Sequence, residues 1–140
     1  MISLSKALLA EQDFSQLINR LDGGGCPVVY SGLGGIHKAH AAAAIRRITS
    51  RPVFVICADE AEAGRLRSDI SVLCQEEVFR LLRRDLSFYN VDSVSREAEH
   101  ERIRVLSMLL EGTAGVVVAT VDGMLTRTIP GDVFRASSVT

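Results

Sequence analysis

The sequence predicts an α/β fold in which a parallel sheet is covered by helices on both faces. Two observations support this fold class. Short apolar runs alternate along the chain with longer amphipathic patterns, and the apolar runs are nearly continuous. Strands have this continuous apolar character when both faces of their sheet are buried, and strands that alternate with helices favour parallel connections.

The apolar runs place four strands along the chain, and a helix-prone stretch at 39–48 follows the first of them. A final stretch, 132–140, is rich in β-forming residues but has no turn or cap, so we interpret it as part of a longer protein. The four predicted strands are 27–31, 52–57, 78–82 and 115–120.

Three further helices are predicted from their capping residues and from apolar positions that share one helical face. Asp13 caps the first and Gly23 ends it, Asp59 caps the second, and Ser95 and Gly112 bound the third. We expect the strands to form the core together with Leu17, Leu66, Ile70, Ile103 and Leu106. The complete inward faces are Phe14, Leu17, Ile18 and Leu21; Ala63, Leu66, Ile70 and Leu73; and Ile103, Leu106 and Leu110.

Composition limits the class of protein. A chain of 140 residues suits one domain, and its net charge of −1 gives no general attraction to nucleic acid or anionic membranes. Cys26, Cys57 and Cys74 are odd in number and widely spaced, which is typical of reduced thiols in a cytosolic protein. No apolar run approaches the ~18 residues of a membrane span. We therefore expect a cytoplasmic protein.

Residues 31–39, S-G-L-G-G-I-H-K-A, match a phosphate-binding loop in part. Gly32 and Lys38 have the spacing of G-x-x-x-x-G-K-[ST], but His37 replaces the second glycine and Ala39 replaces the hydroxyl that holds Mg²⁺. One interpretation is a vestigial nucleotide loop that does not bind ATP, and the other is an ordinary glycine-rich turn. The vestigial loop would comprise Gly32, Gly34, Gly35 and Lys38.

The other polar residues do not form a recognisable catalytic or metal-binding pattern. Asp59 follows an apolar strand, but it also begins an amphipathic helix, which favours a helix cap over a metal ligand. His37 and His40 have no thiol or carboxylate at ligand spacing, so we predict no metal site and no catalytic residues. The charged run 96–104 is interpreted as the solvated face of a helix. The enzyme alternative is a small divergent NTPase that uses Lys38 on phosphate and Asp59 on the metal.

A cluster of basic and aromatic residues lies after the third predicted strand. Arginines beside aromatic rings can bind single-stranded nucleic acid or a partner protein. Because the whole chain is not basic, we favour solvated arginines over this binding role. The cluster comprises Arg80, Arg83, Arg84, Phe88 and Tyr89.

Four segments, taken in order, resemble the amino-terminal module of the bacterial transcription-repair coupling factors (Mfd). They are the loop at 31–39, F-V-I-C-A-D-E-A-E-A-G-R-L-R-S-D-I at 54–70, the run from R-R-D-L-S-F-Y-N to V-L-S-M-L-L at 83–110, and G-V-V-V-A-T-V-D-G-M-L-T-R-T-I-P at 115–130. The third and fourth segments are the most specific. The resemblance extends from about residue 25 to the end.

The resemblance implies a RecA-like domain related to the first domain of the repair subunit UvrB, with nucleotide binding lost. Residues 1–24 would be a helical segment packed on a RecA-like subdomain at 25–140, which is truncated at its carboxyl end. The implied role is that of a catalytically silent scaffold without cofactor or metal. In such a parent protein, a separate motor uses ATP and Mg²⁺ to move on duplex DNA and displace RNA polymerase, and UvrA is then recruited. The resemblance does not assign a UvrA-binding role to any residue of this chain.

Overall fold

The structure of this chain is a computed structural model that describes residues 7–83 and 96–137. Within these residues a single parallel sheet contains β1 (Val53–Cys57), β2 (Val78–Leu81) and β3 (Val116–Thr120). The strand order is β1-β3-β2, so β3 is central and pairs with both neighbours. Three of the four predicted strands are therefore confirmed.

Helices lie on both faces of this sheet, which confirms the predicted α/β class. The helices described in full are α1 (Gln12–Asp22), α2 (Gly35–Thr49), α3 (Glu60–Cys74), α4 (Arg96–Glu111), α5 (Val121–Leu125) and α6 (Gly131–Ser137). α2 and α3 share one apolar core with one face of the strands, and α4 shares a second core with the opposite face. α1 packs on the side of α2 that is turned away from the sheet.

The first core is built from small residues of α2 and larger residues of α3. Ala39 and Ala43 let α2 approach closely, while Leu66 and Ile70 of α3 fill the space above the strands. The predictions of Leu66 and Ile70 as core residues are confirmed, and so is that of Leu17 on α1. The strand residues of this core are Cys57, Val78, Val116 and Val118.

The second core corrects the predicted orientation of α4. Val105 is fully buried against the sheet, and Leu106 is partly buried, as expected. Ile103, however, is 53% exposed, so its prediction as a core residue is wrong. The reason is that α4 turns Arg102 towards the sheet, where its guanidinium group donates hydrogen bonds to backbone carbonyl groups.

The predicted strand at 27–31 is not a strand. Its residues form neither a helix nor a strand, and they pair with no strand among the described residues. Val28 and Tyr30 instead pack against α1 and α2, with the Tyr30 ring edge-on to Phe14, while Val29 is 90% exposed. The segment thus buries every second side chain against helices, and this burial does not require a hydrogen-bonded partner strand.

The predicted helix boundaries are confirmed only in part. α1 begins after Glu11, so Asp13 lies in its first turn and is not the cap that we predicted. Gly23 ends α1, and Gly112, at a φ of +70°, follows the last residue of α4, both as expected. The predicted cap Ser95 lies outside the described residues.

The predicted β-prone tail at 132–140 is wrong over its described part. Residues Gly131–Ser137 form α6, and residues 138–140 lie outside the described chain. The amide of Phe134 donates to the carbonyl of Pro130, which begins the helix. Arg135 then donates to the carbonyl of Leu110 and ties α6 to the end of α4. Tertiary contact with α4 therefore stabilises a helix where local propensity favours a strand.

Candidate functional site

The carboxyl ends of the three strands lie next to the first turns of α2 and α3. In open α/β sheets, ligands bind at this edge because loops and helix amino termini converge there. The loop at 31–39 reaches this edge, since the side chain of Lys38 contacts Glu62 in the first turn of α3. The carboxyl-terminal edge of the sheet is therefore the candidate functional site.

The structure places all four predicted loop residues around the start of α2. Gly32 has a φ of +83°, in the left-handed region that favours glycine. Gly34 precedes the helix, Gly35 is its first residue, and the amide of Lys38 donates to the carbonyl of Gly34 at 3.0 Å. The glycines thus form the tight entry into α2 that either interpretation of the loop requires.

The ammonium group of Lys38 is paired with a carboxylate. Its Nζ lies 2.9 Å from Oε1 of Glu62, and Oε2 of Glu62 accepts a hydrogen bond from the amide of Ala58 at 3.3 Å. The hydrogen bond and charge of Glu62 raise the pKa of Lys38 above 10.5. In turn, the hydrogen bonds from Lys38 and Ala58 lower the pKa of Glu62 below 4.5. At neutral pH both groups are charged.

The ion pair with Glu62 reduces the positive charge that Lys38 presents to an anion. A phosphate-binding lysine must direct its positive charge at the phosphate, but Lys38 already neutralises Glu62. A phosphate that approached Lys38 would either displace Glu62 or lie close to its negative charge, which repels it. The negative charge of Glu62 is therefore unfavourable for a phosphate group beside Lys38.

The two residues that break the loop motif occupy very different environments. Ala39, at the position of the Mg²⁺-binding hydroxyl, is fully buried beside Ala63 and Cys57 in the first core. A hydroxyl group there would lie in apolar packing. His37 is exposed, and its ring lies close to Gly34, where an added Cβ would be 3.5 Å from Nδ1.

Asp59 is a helix cap, as the sequence predicts. Its Oδ1 accepts a hydrogen bond of 2.7 Å from the amide of Glu62, and the residue itself has extended backbone geometry. Its carboxylate therefore has a structural partner in the first turn of α3. Within the described part of the chain, no group of three or more His, Cys, Asp or Glu side chains is arranged to hold a metal ion.

Cys57 ends β1 at the same edge, yet its thiol is not activated. The side chain is buried, and this burial, followed by the charge of Glu62, raises the pKa of the thiol above 9.0. A nucleophilic cysteine needs a lowered pKa, because the thiolate is the reactive form. Cys57 is therefore a packing residue of the first core.

A polar network that we did not predict joins the ends of β2 and β3 to α3. Thr120 donates to Oε1 of Glu60 at 3.1 Å, and its hydroxyl oxygen accepts from the amide of Gly123 at 3.1 Å. Arg80 forms an ion pair with the other oxygen of Glu60. Arg80 was predicted to belong to a solvated basic cluster, but it is partly buried in this network.

Arg102 is the second residue that the sequence interpretation missed. It belongs to the charged run 96–104, which we interpreted as solvated, yet only 7% of it is exposed. Its guanidinium group donates to the carbonyls of Leu82 at 2.6 Å, Gly123 at 3.0 Å and Thr126 at 3.3 Å. The one available signal was its position three residues before Val105, on the face that packs on the sheet.

The remaining members of the basic and aromatic cluster are not assembled in the described structure. Arg83 is exposed at the end of β2. Arg84, Phe88 and Tyr89 lie outside the described residues. The prediction that these residues contact a partner stays a prediction. None of the described helices is both long and apolar enough to cross a bilayer.

Comparison with known proteins gives one relevant similarity. The chain is 26% identical over 128 residues to the transcription-repair-coupling factor of Bacillus subtilis (strain 168). The alignment covers 91% of this chain but only 11% of the relative, so the chain spans a small part of the protein it matches. No family model matches the chain, and no solved structure matches it. The similarity supports a relation to part of a transcription-repair coupling factor, a DNA-repair protein that is much longer than this chain.

Proposed function

We propose that this chain is a catalytically silent scaffold module of a transcription-repair coupling factor. The similarity to the Bacillus relative over 91% of the chain supports the relation to that protein. The parallel sheet with flanking helices is compatible with the RecA-like fold that the sequence resemblance implies. On this proposal the loop at 31–39 is a relic of a nucleotide site, and residues 25–140 form one subdomain with residues 1–24 packed against it.

One observation carries the silent part of this proposal. Lys38, the residue on which an NTPase would depend, is paired with Glu62 at 2.9 Å, and the neighbouring hydroxyl position is the buried Ala39. A working loop needs a lysine that is free to bind phosphate and a hydroxyl group that binds Mg²⁺. Here the lysine is paired with Glu62, and Ala39 has no hydroxyl group. Asp59, the metal ligand of the enzyme alternative, serves as the cap of α3.

The chemistry of the parent protein would then lie elsewhere in its chain. A separate motor would bind ATP and Mg²⁺, move on duplex DNA and act on RNA polymerase, and UvrA would be the repair partner. This module would hold other domains of the same cytoplasmic protein in place. The small share of the Bacillus relative that the chain covers, 11%, leaves ample polypeptide for such a motor.

Thermal unfolding with and without excess MgATP tests the silent part. A working site at one hundred times its dissociation constant would add ~2.7 kcal/mol, which raises the midpoint of a domain of this size by several degrees. We expect no shift, because the charge of Glu62 and the missing hydroxyl at Ala39 both disfavour MgATP binding. MgCl₂ with sodium sulfate at equal ionic strength controls for general salt effects.

The Lys38→Ala variant distinguishes a specific shift from an unspecific one. If MgATP raises the midpoint of the native chain by several degrees and Lys38→Ala abolishes that rise, the loop is a working nucleotide site and the silent assignment is wrong. A rise that persists in Lys38→Ala would place nucleotide binding elsewhere in the chain, which also contradicts a silent module.

The link to repair is tested by disrupting the gene that encodes this chain. Coupled repair removes lesions faster from the transcribed strand than from its complement. We expect this strand difference to disappear in the disrupted strain and to return when the gene is restored. A strand difference that remains at its full size after disruption would contradict the proposed role.

A further inference from the structure

The apolar side chains of α1 belong to a small core of their own. Phe14, Leu17 and Ile18 are buried, and they pack on the side of α2 that carries Ala41 and Ala44. In the described structure, neither of the two cores beside the sheet includes a residue of α1. The packing of α1 is thus separate from the packing of the sheet.

The contacts between α1 and the rest of the fold are weak outside this core. The backbone of α1 lies farther from its neighbouring elements than α2 lies from α3. Arg51, which follows α2, donates to the carbonyl of Leu21 at 3.0 Å and lies 3.5 Å from the carboxylate of Asp22. The side chains of Arg51 and Asp22 are both more than half exposed, so water weakens their ion pair.

The connection between α1 and α2 contains a flexible hinge. Residues 23–25 are three consecutive glycines, and glycine has the widest range of backbone conformations. Residues 26–33 form no backbone hydrogen bond within the described structure. The side chains of Val28, Tyr30 and Leu33 pack this connection against the helices. α1 can therefore move away without breaking a backbone hydrogen bond of the sheet.

We propose that α1 is a hinged strap, which leaves α2 and returns as a unit while the sheet stays folded. The undocked strap would lose its helix, because isolated helices shorter than about 12 residues are marginal in water and α1 has 11 residues. This local opening costs less free energy than global unfolding, since both cores beside the sheet stay intact.

Opening of the strap changes which surface the protein presents. In the closed state α1 covers Ala41 and Ala44 on α2, together with Val28 and Tyr30. In the open state these apolar residues lose that cover. The strap thus controls the access of solvent and of other molecules to this side of α2. The device does not depend on the nucleotide loop, so it is independent of the proposed function.

Amide hydrogen exchange measured by NMR tests the strap. The amides of Leu17 and Ile18 lie in the middle of α1, and that of Val118 lies in the central strand β3. Relative to unprotected amides, we expect Leu17 and Ile18 to exchange at least about a hundredfold faster than Val118. Their exchange should also depend less on urea, because opening exposes less surface than global unfolding does.

The Ile70→Val variant separates local opening from global unfolding. Ile70 is fully buried in the core between α3 and the sheet, and that core contains no described residue of α1. Loss of one methyl group there destabilises the sheet but leaves the packing of α1 unchanged. We expect exchange at Val118 to become about fivefold faster. Exchange at Leu17 and Ile18 should stay the same, because the sheet is folded both before and after the strap opens.

Thiol labelling reports directly on the surface beneath the strap. Ala44 and Ala39 are both fully buried on α2, but Ala44 lies beneath α1 and Ala39 lies in the core beside the sheet. Each is replaced separately by cysteine. We expect iodoacetamide to modify Ala44→Cys at least about tenfold faster than Ala39→Cys. Mass spectrometry of the digested chain distinguishes the new thiol from the three native ones.

Two results would overturn the proposal. If Ile70→Val accelerated exchange in α1 and in β3 by the same factor, α1 would unfold only together with the sheet. If α1 exchanged rapidly but Ala44→Cys and Ale39→Cys were labelled at equal rates, α1 would unwind while still covering α2. Neither measurement involves nucleotide, so failure of the strap and failure of the proposed function are distinguishable.

Discussion

The loop at 31–39 carries an ion pair that its local sequence does not reveal. The motif places Lys38 where an NTPase lysine belongs, but the side chain of Glu62 reaches it from a helix that begins after the following strand. Glu62 is held in turn by the amide of Ala58 and by the cap at Asp59. The lysine is therefore positioned for a structural contact between α2 and α3.

Replacement of Glu62 by Gln should make the stability of the chain less dependent on pH. Because the pKa of Glu62 is lowered in the folded state, its contribution is present above 4.5 and is lost as the pH falls through the folded pKa. The raised pKa of Lys38 keeps the contribution present below 10.5 and removes it as the pH rises above that value. We expect the difference in thermal midpoint between the native chain and Glu62→Gln to be constant at neutral pH. It should shrink as the pH falls below 4.5 and vanish once the pH is below the lowered pKa of Glu62.

Glu11→Gln is the matched control for this experiment, because Glu11 is exposed and has no side-chain hydrogen bond among the described residues. At acidic pH, the thermal midpoint of Glu11→Gln should change with pH in the same way as that of the native chain. A midpoint difference for Glu62→Gln that stays the same down to pH 3 would show that the ion pair with Lys38 does not contribute.

At the scale of secondary-structure elements, Arg102 joins three parts of the fold. From α4 it reaches the carbonyl that follows β2, a carbonyl within α5 and a carbonyl after α5. Gly123 allows this arrangement, since a Cβ there would lie 2.7 Å from the carbonyl oxygen of Leu81. The short helix α5 thus depends on a buried cation and on a close backbone approach.

Replacement of Arg102 by Met should lower the free energy of unfolding by about 3 kcal/mol. Methionine keeps most of the apolar length but leaves buried carbonyl groups without donors, which costs about 1–3 kcal/mol for each unsatisfied group. Urea unfolding measures the change. Arg65→Met on α3, an exposed arginine without a described contact, is the control and should stay within about 0.5 kcal/mol of the native chain. A loss below 1 kcal/mol for Arg102→Met would contradict the structural role.

The segment 27–31 shows why an apolar run does not always form a strand. Like the segments that form β1 and β3 it contains adjacent apolar residues, but it pairs with no strand among the described residues. Its alternate side chains pack on α1 and α2 instead. Strand formation requires a hydrogen-bonded neighbour, and composition alone does not supply one.

For the whole molecule, coverage of the sheet is uneven. α2 and α3 cover one face, whereas α4 covers only β2 and β3 on the other. A monomeric domain that is complete usually hides such apolar surface, so the open surface of β1 is a candidate contact with further polypeptide. The short share of the Bacillus relative that this chain matches is consistent with such a contact.

Much of the fold was predictable because its signals are local. The cap at Asp59 and the apolar spacing that follows it predicted α3, and continuous apolar runs predicted three strands. The glycine-rich entry into α2 was also predictable from its local sequence. The polar partners at the candidate site were not predictable, because Lys38 and Glu62 are 24 positions apart, and Glu60 and Thr120 are 60 positions apart.

The amino-acid sequence by itself determined the α/β class and the position of most helices, since capping and periodicity act within a few residues. Only the tertiary structure decided that 27–31 has no partner strand, that α4 turns Arg102 inward in place of Ile103, and that Glu62 neutralises Lys38. The physical reason is that hydrogen-bond partners and buried charges are selected by the packing of distant segments, and a local pattern carries no information about which distant segment arrives.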